Sequence, residues 1–329
     1  MPVANIEGAR IAYDVTGEGP ALVFLHCWTG NKRFYFNQVE KFSRDYKCIC
    51  LDFPGHGDSG EIESKDYSVE CFTELTIALL NKLGIKKAVF VGHSLGGMVC
   101  LHLGLHYPDM VEGLILIDTT SHLSGFIFQR IGALAAVMLG FLGATVWNTG
   151  FRGTKAVIAG AAATHPLAGP GSRIITAREC SNVSNYSMTK TLNRARNFNA
   201  TQRLGEISAP ALIVVGNADL LADIRHANRM AKGLPNSMLL VVRGAGHMAL
   251  FEKPEIVNRA MDDFLQRVYT PAKAVAKKPK AKKAAKKKSA AKKAARQRPR
   301  RPRPGPPRGS FAGTTGLREP ARRVCSPGK

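Results

Sequence analysis

Short apolar runs alternate with amphipathic segments through most of the first 269 residues. Buried strands are predicted by the runs 21–25, 48–51, 88–91, 113–117, 212–215 and 238–242. Helical spacing recurs between them, as in 32–42 and in 69–83, which Gly84 ends. Residues 10–15 alternate after the turn-like Glu7-Gly8, which predicts an opening hairpin. This order favours an α/β fold, a mostly parallel sheet with helices on both faces.

The alternation stops between about residues 121 and 205, where Gly, Ala and apolar helix-like sequence intervene. A connection this long inside a domain predicts a lid or a binding insertion. Its run 131–147 is uncharged but contains three glycines, and a spanning helix needs about 20 apolar residues. We interpret this run as a lid helix facing an apolar substrate, with an interfacial helix as the alternative, and expect no transmembrane span.

Residues 88–106 read as a strand, a sharp turn and a helix, and the turn Gly92-His93-Ser94-Leu95-Gly96 fits G-x-S-x-G. Glycines at both ends remove Cβ atoms that would collide across so tight a turn. The helix beginning at Leu95 would direct its free N–H groups toward the site, where an oxyanion would form. This pattern predicts a nucleophile at Ser94; the alternative is an ordinary Gly-Ser loop.

The charge is concentrated at the carboxyl end of the chain. Of 47 basic residues, 21 lie in residues 270–329 together with one acid, Glu319, whereas the first 269 residues hold 26 bases and 23 acids. The sequence therefore predicts a domain over 1–269 and a disordered Lys/Ala/Pro/Arg-rich tail over 270–329. Such a tail could bind nucleic acid or another polyanion through its phosphates; a solvated tail without a partner is the alternative.

Seven cysteines are scattered over the chain, most of them inside apolar runs, which suits buried reduced thiols and a cytoplasmic protein. Cys48 and Cys50 share one face of a strand, but no second pair lies nearby to complete a metal site. The first residues show neither a basic start nor an apolar core, so we expect no secretory signal.

Five motifs in one order carry a family resemblance: 25–28 (LHCW), 52–59 (DFPGHGDS), 92–97 (GHSLGG), 216–219 (GNAD) and 246–247 (GH). Together they resemble the α/β-hydrolase fold superfamily, in particular its serine esterases, lactonases and carbon–carbon hydrolases with a helical cap. The likeness spans about residues 8–268. The basic tail lies outside it and is similar to the tails of linker histones.

The resemblance implies a triad of Ser94, Asp219 and His247, in the order serine, acid, histidine that this fold uses. A serine hydroxyl needs a base to accept its proton, and the base needs a carboxylate to fix its tautomer. Asp219 alone fits Gly-x-x-Asp after a strand; Asp223 and Asp118 are rival carboxylates, and Asp219 could instead cap a helix starting near Leu221. His247 could likewise be a satisfied loop histidine.

An oxyanion hole needs two backbone donors. One is expected to be the N–H of Leu95, and the resemblance implies that the other is the N–H of Trp28. Cys27 replaces the glycine that the family carries before this donor, so the loop or pocket could be altered there. Trp28 could equally be an aromatic that only borders the pocket. His26 and the Gly55-His56-Gly57 loop resemble structural motifs of the family.

The expected function is hydrolysis of an ester or related acyl bond in a small, largely apolar substrate. The scheme requires no metal and no organic cofactor. Carbon–carbon hydrolysis, enol-lactone opening and cofactor-free perhydrolysis use similar triads and remain alternatives, as does a non-catalytic binding module with a nucleic-acid-binding tail. The substrate, the oligomeric state and the partner of the tail are left open.

Overall fold

The computed structural model describes residues 2–62, 66–123, 164–165, 168–179 and 183–270. The insertion run 131–147 and the basic tail from residue 271 onward lie outside these residues. The chain divides into two units, residues 1–274 and 275–329, and the described residues all belong to the first of them.

Apolar runs form the strands of one sheet, which has eight strands within the described residues. In chain order these strands are β1 (Val3–Ile6), β2 (Ala9–Thr16), β3 (Ala21–Leu25), β4 (Lys47–Leu51), β5 (Ala88–His93), β6 (Val111–Ile117), β7 (Ala211–Gly216) and β8 (Ser237–Val242). The strand order across the sheet is β1-β2-β4-β3-β5-β6-β7-β8.

The first two strands run against the rest of the sheet. β1 and β2 form the predicted hairpin, turning at Glu7 and Gly8, which both have positive φ, and β2 pairs antiparallel with β4. From β4 to β8 all pairings are parallel, and Leu25 of β3 and Leu116 of β6 lie beside Gly92 of β5. The carboxyl ends of the central strands therefore meet at one edge, where open α/β sheets bind ligands.

Eight α-helices lie in the described residues. They are α1 (Phe36–Phe42), α2 (Val69–Lys82), α3 (Leu95–His106), α4 (Pro170–Glu179), α5 (Asn185–Ala195), α6 (Ile224–Gly233), α7 (Ala249–Glu252) and α8 (Pro254–Tyr269). Local chemistry fixes several ends. The Ser68 hydroxyl accepts from Cys71 N at the start of α2, and Gly84, with φ +71°, follows its last turn.

Helices cover both faces of the sheet because side chains alternate along each strand. On one face Val23, Leu25 and Phe90 pack with residues of α2, α3 and α6. On the other face Leu22 and Phe24 pack with residues of α1, α7 and α8. The predicted α/β class, with a mostly parallel sheet between two helical layers, is confirmed.

Two predicted helix starts differ from the structure. The segment predicted as one helix over 32–42 opens with a 3₁₀ turn, Lys32–Tyr35, in which the N–H of Arg33 donates to the Asn31 side chain and the N–H of Lys32 donates to Asp52. The helix predicted near Leu221 begins at Ile224 instead. The described part of the insertion between β6 and β7 contains α4, α5 and a 3₁₀ turn, Thr201–Glu206.

A substitution at Phe90 of β5 tests the packing of the core, because its ring is fully buried on one face of the sheet. We expect Phe90→Ala to lower the free energy of unfolding by about 3–5 kcal/mol, since the side chain is lost and a cavity remains. Phe36→Ala removes a ring that is 42% exposed and should cost much less. Urea unfolding followed by circular dichroism measures both values. Equal losses would contradict this account of the core.

Candidate active site

The turn between β5 and α3 places Ser94 in a backbone conformation that L-residues rarely adopt, with φ 53° and ψ −112°. Two close approaches require the flanking glycines. A Cβ on Gly92 would lie 2.3 Å from the Gly96 carbonyl oxygen, and one on Gly96 would lie 1.9 Å from the Leu25 carbonyl oxygen. The glycines thus let α3 start directly against the end of β3.

Backbone hydrogen bonds hold Ser94 at the crest of this turn. Its N–H donates to the Ile117 carbonyl at 3.0 Å, and its carbonyl accepts from the Thr119 hydroxyl at 2.5 Å. Ser94 stays partly exposed although its neighbours on both sides are buried. The hydroxyl is therefore held by the main chain at an accessible position.

Ser94, His247 and Asp219 are brought together from three distant parts of the chain. His247 Nε2 lies 3.0 Å from Ser94 Oγ, and His247 Nδ1 lies 2.8 Å from Asp219 Oδ2. Because a carboxylate only accepts, Nδ1 carries the proton and Nε2 is left to accept from the serine hydroxyl. Both His247 and Asp219 are buried. This is the geometry in which an imidazole can take a proton from a hydroxyl.

Asp219 divides its two oxygens between a turn and the imidazole. Oδ1 accepts the N–H groups of Leu221 and Ala222 at 2.7 and 2.9 Å, which leaves Oδ2 for His247. The helix that follows is capped by Asp223, whose Oδ1 accepts from Arg225 N at 2.9 Å. Asp223 is therefore a helix cap, and Asp219 fixes the turn before it while holding His247.

Asp118, the other rival carboxylate, is buried behind the site. It accepts the N–H of Gly216 at 2.8 Å and the N–H of Ala249 at 3.0 Å, and so joins the end of β7 to the loop after His247. Burial, and then the nearby charge of Asp219, raise the pKa of Asp118 to about 8. Both oxygens of Asp118 accept from backbone N–H groups, so this carboxyl group has a structural role.

His93, between the first glycine and the serine, holds the backbone of His247. Its Nε2 donates to the His247 carbonyl at 2.7 Å, and its ring stacks on Phe34 with centroids 5.4 Å apart. Burial holds the pKa of His93 well below its usual value, so the ring stays neutral. A neutral ring that donates from Nε2 is a pH-independent support for this loop.

The two expected oxyanion donors lie at the ends of neighbouring strands. Leu95 is the first residue of α3, so its N–H has no acceptor within the helix. Trp28 follows β3, and the peptide that carries its N–H is fixed through the Cys27 carbonyl. That carbonyl accepts from His26 Nδ1 at 2.7 Å and from Gly30 N at 3.0 Å. Because a peptide is planar, this also fixes the direction of the Trp28 N–H.

His26 is fixed in turn by the neighbouring loop, since its Nε2 accepts from Phe53 N at 2.9 Å. Burial keeps the pKa of His26 well below its usual value, which preserves this one-proton arrangement. The sequence predicts a structural role for His26 but does not connect this residue to the oxyanion donor. The position of His26 directly before the loop suggests such a connection, but its bond to Phe53 depends on tertiary structure.

Cys27 is buried in the core beneath this loop. Its sulfur would lie 2.9 Å from a Cβ placed on Gly30, and its side chain packs in the same cluster as Phe34. The side chain that stands where the family carries glycine is thus accommodated beneath the turn. Trp28 contacts two other parts of the chain. Its indole Nε1 donates to the Met188 carbonyl on α5 at 2.7 Å, and its own carbonyl accepts from His56 Nε2.

The Cys48 and Cys50 side chains are buried next to the sheet, and burial raises the pKa of Cys48 to about 12. Burial also raises the pKa of Cys50 well above its usual value, so with no metal bound both side chains are thiols at neutral pH. Across the described residues no group of three metal-ligating side chains occurs. In the same part of the chain, no helix combines the length and apolarity that crossing a bilayer requires.

Two family models match the chain. The model described as alpha/beta hydrolase fold matches residues 20–146, and the model described as TAP-like protein matches residues 171–277. Among proteins of known sequence, a protein named as a carbamate hydrolase, RutD, of Pseudomonas syringae is 26% identical over 256 residues. That alignment covers 75% of this chain and 94% of the relative.

A 2-hydroxy-6-oxononadienedioate/2-hydroxy-6-oxononatrienedioate hydrolase of Burkholderia vietnamiensis is 28% identical, covering 78% of this chain and 91% of the relative. Among solved structures, Est816, described as an N-acyl homoserine lactone degrading enzyme, superposes with a TM-score of 0.66 at 27% identity. The superposition covers 80% of this chain and 100% of the Est816 chain. These matches and the fold support membership of the α/β-hydrolase superfamily, and the chain is an enzyme of hydrolase type.

The raised pKa of Asp118 predicts how stability depends on pH. Because the folded protein holds this proton more tightly than the unfolded chain does, the stabilisation is complete below about pH 4 and is lost as pH rises through about 8. We expect Asp118→Asn to flatten the fall in the free energy of unfolding over this range. Urea unfolding at pH 5, 7 and 9 measures it, with the exposed Asp109→Asn as control. An unchanged slope in Asp118→Asn would contradict the assignment.

Proposed function

We propose that the protein is a serine hydrolase that cleaves an ester or related acyl bond of a small, largely apolar substrate. The observation that carries the proposal is the continuous hydrogen-bonded line from Ser94 Oγ through His247 to Asp219. It lies at the carboxyl edge of the sheet, and the oxyanion donors proposed to complete the site are the N–H groups of Leu95 and Trp28.

In the proposed reaction Ser94 Oγ forms a bond to the acyl carbon as its proton passes to His247 Nε2. Asp219 holds the imidazole in the required tautomer and stabilises the imidazolium. The carbonyl oxygen becomes an oxyanion and accepts from the Leu95 and Trp28 N–H groups. The tetrahedral intermediate collapses, the bond to the alcohol breaks, and His247 returns the proton to that alcohol. Water then repeats the sequence and releases the acid.

The buried supports around the line agree with this role. His93 and Asp118 hold the backbone that follows the His247 side chain, and His26 holds the peptide before Trp28. Both histidines are kept neutral by burial, so charge changes during the reaction fall on His247. Preorganised polar groups of this kind do not have to reorganise as the oxyanion forms.

The relatives are named for different substrates, among them 2-hydroxy-6-oxononadienedioate for one hydrolase and N-acyl homoserine lactones for another enzyme. Carbon–carbon hydrolysis, enol-lactone opening and perhydrolysis could all use the same three side chains. We propose ester hydrolysis as the activity to test first, because an activated ester makes the fewest demands on the pocket beyond the nucleophile and oxyanion donors.

Ser94→Ala is the direct test. We expect kcat/KM for short p-nitrophenyl esters to fall by about 10⁴-fold or more, because losing the nucleophile of a triad removes most of its rate enhancement. A fluorophosphonate probe should label the natural chain and leave Ser94→Ala unlabelled. The exposed Ser208→Ala serves as a matched control and should behave as the natural chain.

Full turnover and labelling by Ser94→Ala would contradict the nucleophile assignment. An unlabelled, inactive natural chain that still binds acyl compounds would favour the binding-module alternative.

We also propose that the basic tail, residues 270–329, binds nucleic acid. The supporting observation is its composition, 21 basic residues against one acid, while the rest of the chain is close to neutral. Lys and Arg at this density neutralise phosphates and release counterions, so binding should show little sequence preference. The matched family regions end at residue 277, so most of the tail lies beyond them. The proposed binding of nucleic acid is therefore separate from the hydrolase site.

The full chain should shift duplex DNA in a gel, and a chain ending at Tyr269 should not. Affinity should fall by about 10³-fold between 50 and 200 mM salt if roughly six phosphates are contacted. Equal shifts by both chains would contradict the proposal, as would a full chain that binds anionic vesicles but no duplex.

A further inference from the structure

The loop that carries the Trp28 N–H is attached to α4 and α5, two helices of the insertion. The attachment uses two different residues of the loop, Trp28 and Asn31, and two well-separated acceptors on the insertion, Met188 and Glu179. Neither contact takes part in the reaction as proposed above.

The contact between Asn31 and Glu179 is buried. Asn31 Nδ2 donates to the Glu179 carbonyl at 2.9 Å and to Glu179 Oε2 at 3.1 Å. Asn31 is 1% exposed and Glu179 is 6% exposed. The other end of the Asn31 amide accepts from Arg33 N, which starts the 3₁₀ turn after the loop. One side chain therefore joins the oxyanion loop, the following turn and α4.

Burying a carboxylate is costly unless it is paired. Glu179 is approached by two guanidinium groups, Arg178 Nε at 3.2 Å and Arg33 Nε at 3.6 Å. Arg33 belongs to the same turn as Asn31, so the pairing also connects α4 to the loop region. A carboxylate held this way lets Glu179 accept from Asn31 without an unpaired buried charge.

The second contact acts on Trp28 itself. The indole Nε1 donates to the Met188 carbonyl on α5 at 2.7 Å, in a partly buried position. The same residue supplies the expected oxyanion N–H. The main-chain orientation of Trp28 is set by His26 and Gly30 below the loop, and its ring is set by α5 above it.

We propose that Asn31 and Glu179 are positioning residues for the oxyanion hole, through which the insertion holds the Trp28 N–H in its working direction. This inference rests on the proposed serine-hydrolase function and deepens it. A donor aimed at a developing charge must be held closely, and displacement by about 1 Å can cost up to about 10²-fold in rate. The insertion is then part of the catalytic framework.

The variants follow from the hydrogen bond. Glu179→Leu removes the side-chain acceptor, and Asn31→Asp keeps the acceptor for Arg33 N but sets a carboxylate against Glu179. We expect each to lower kcat for p-nitrophenyl esters by about 10- to 100-fold with little change in KM. Glu179→Gln keeps an acceptor and should stay within about threefold. Adding Glu179→Gln to Asn31→Asp should recover part of the loss, because the introduced amide can donate to the introduced carboxylate.

Ile174→Ala is the matched control, because Ile174 lies on α4 and its side chain is 66% exposed. Rates are expressed per active site, titrated with the fluorophosphonate, so that unfolded molecules are not counted. A short alkyl boronic acid supplies a second readout, since its tetrahedral adduct with a serine hydroxyl uses the oxyanion hole. Its affinity should fall in parallel with kcat in Glu179→Leu and Asn31→Asp.

Fluorescence gives a third readout that does not depend on activity. The chain has two tryptophans, so Trp147→Phe leaves Trp28 alone. In that background Glu179→Leu and Asn31→Asp should shift the Trp28 emission to the red and lower its anisotropy, whereas Glu179→Gln and Ile174→Ala should not.

Parallel losses of kcat and boronate affinity with a changed Trp28 spectrum support the inference. Normal kcat per titrated site and normal boronate affinity in Glu179→Leu and Asn31→Asp overturn it, even where stability has fallen. A natural chain that is neither labelled nor active would reject the triad, and with it this role for the loop; an active natural chain with unaffected variants rejects the positioning role alone.

Discussion

The close approach of α3 to the end of β3 is the constraint on which the site depends. Gly96 lies so near the Leu25 carbonyl that any side chain there would overlap it, and Gly92 lies equally near Gly96. This contact forces the strained turn at Ser94 and brings the first N–H groups of α3 beside the loop after β3. The position of the proposed nucleophile and the proposed site for developing negative charge therefore both depend on one packing contact between backbones.

The histidine loop has the opposite character, because it has little regular structure of its own. Its position is fixed by side chains from other parts of the chain: Asn217 binds Gly244 N, Glu252 binds Gly246 N, His93 binds the His247 carbonyl and Asp118 binds Ala249 N. The bonds to Gly246 N, the His247 carbonyl and Ala249 N are buried or partly buried, whereas the bond to Gly244 N is exposed. A loop held at so many points keeps the imidazole in line while leaving its ring nitrogens to Ser94 and Asp219.

Burial also separates the histidines by role. His26, His56 and His93 lie in the interior, and desolvation lowers the pKa of each. They serve as hydrogen-bonding spacers between loops and do not gain charge in the neutral range. His247 differs because a carboxylate faces one ring nitrogen and a hydroxyl faces the other. The same residue type thus supports the framework in three places, and in a fourth it has the two contacts that the proposed proton transfer requires.

The sequence by itself determined the alternation of strands and helices, the sharp turn at Ser94, the order of Ser94, Asp219 and His247 along the chain, and the charge of residues 270–329. These features depend on short-range spacing and composition, which can be read directly from the sequence. Tertiary structure decided that Asp219 and not Asp223 faces His247, that Asp118 joins β7 to the histidine loop, and that Asn31 meets Glu179. Those outcomes depend on contacts between residues about 30 to 150 positions apart, whose distances and directions exist only once the sheet and its loops have packed.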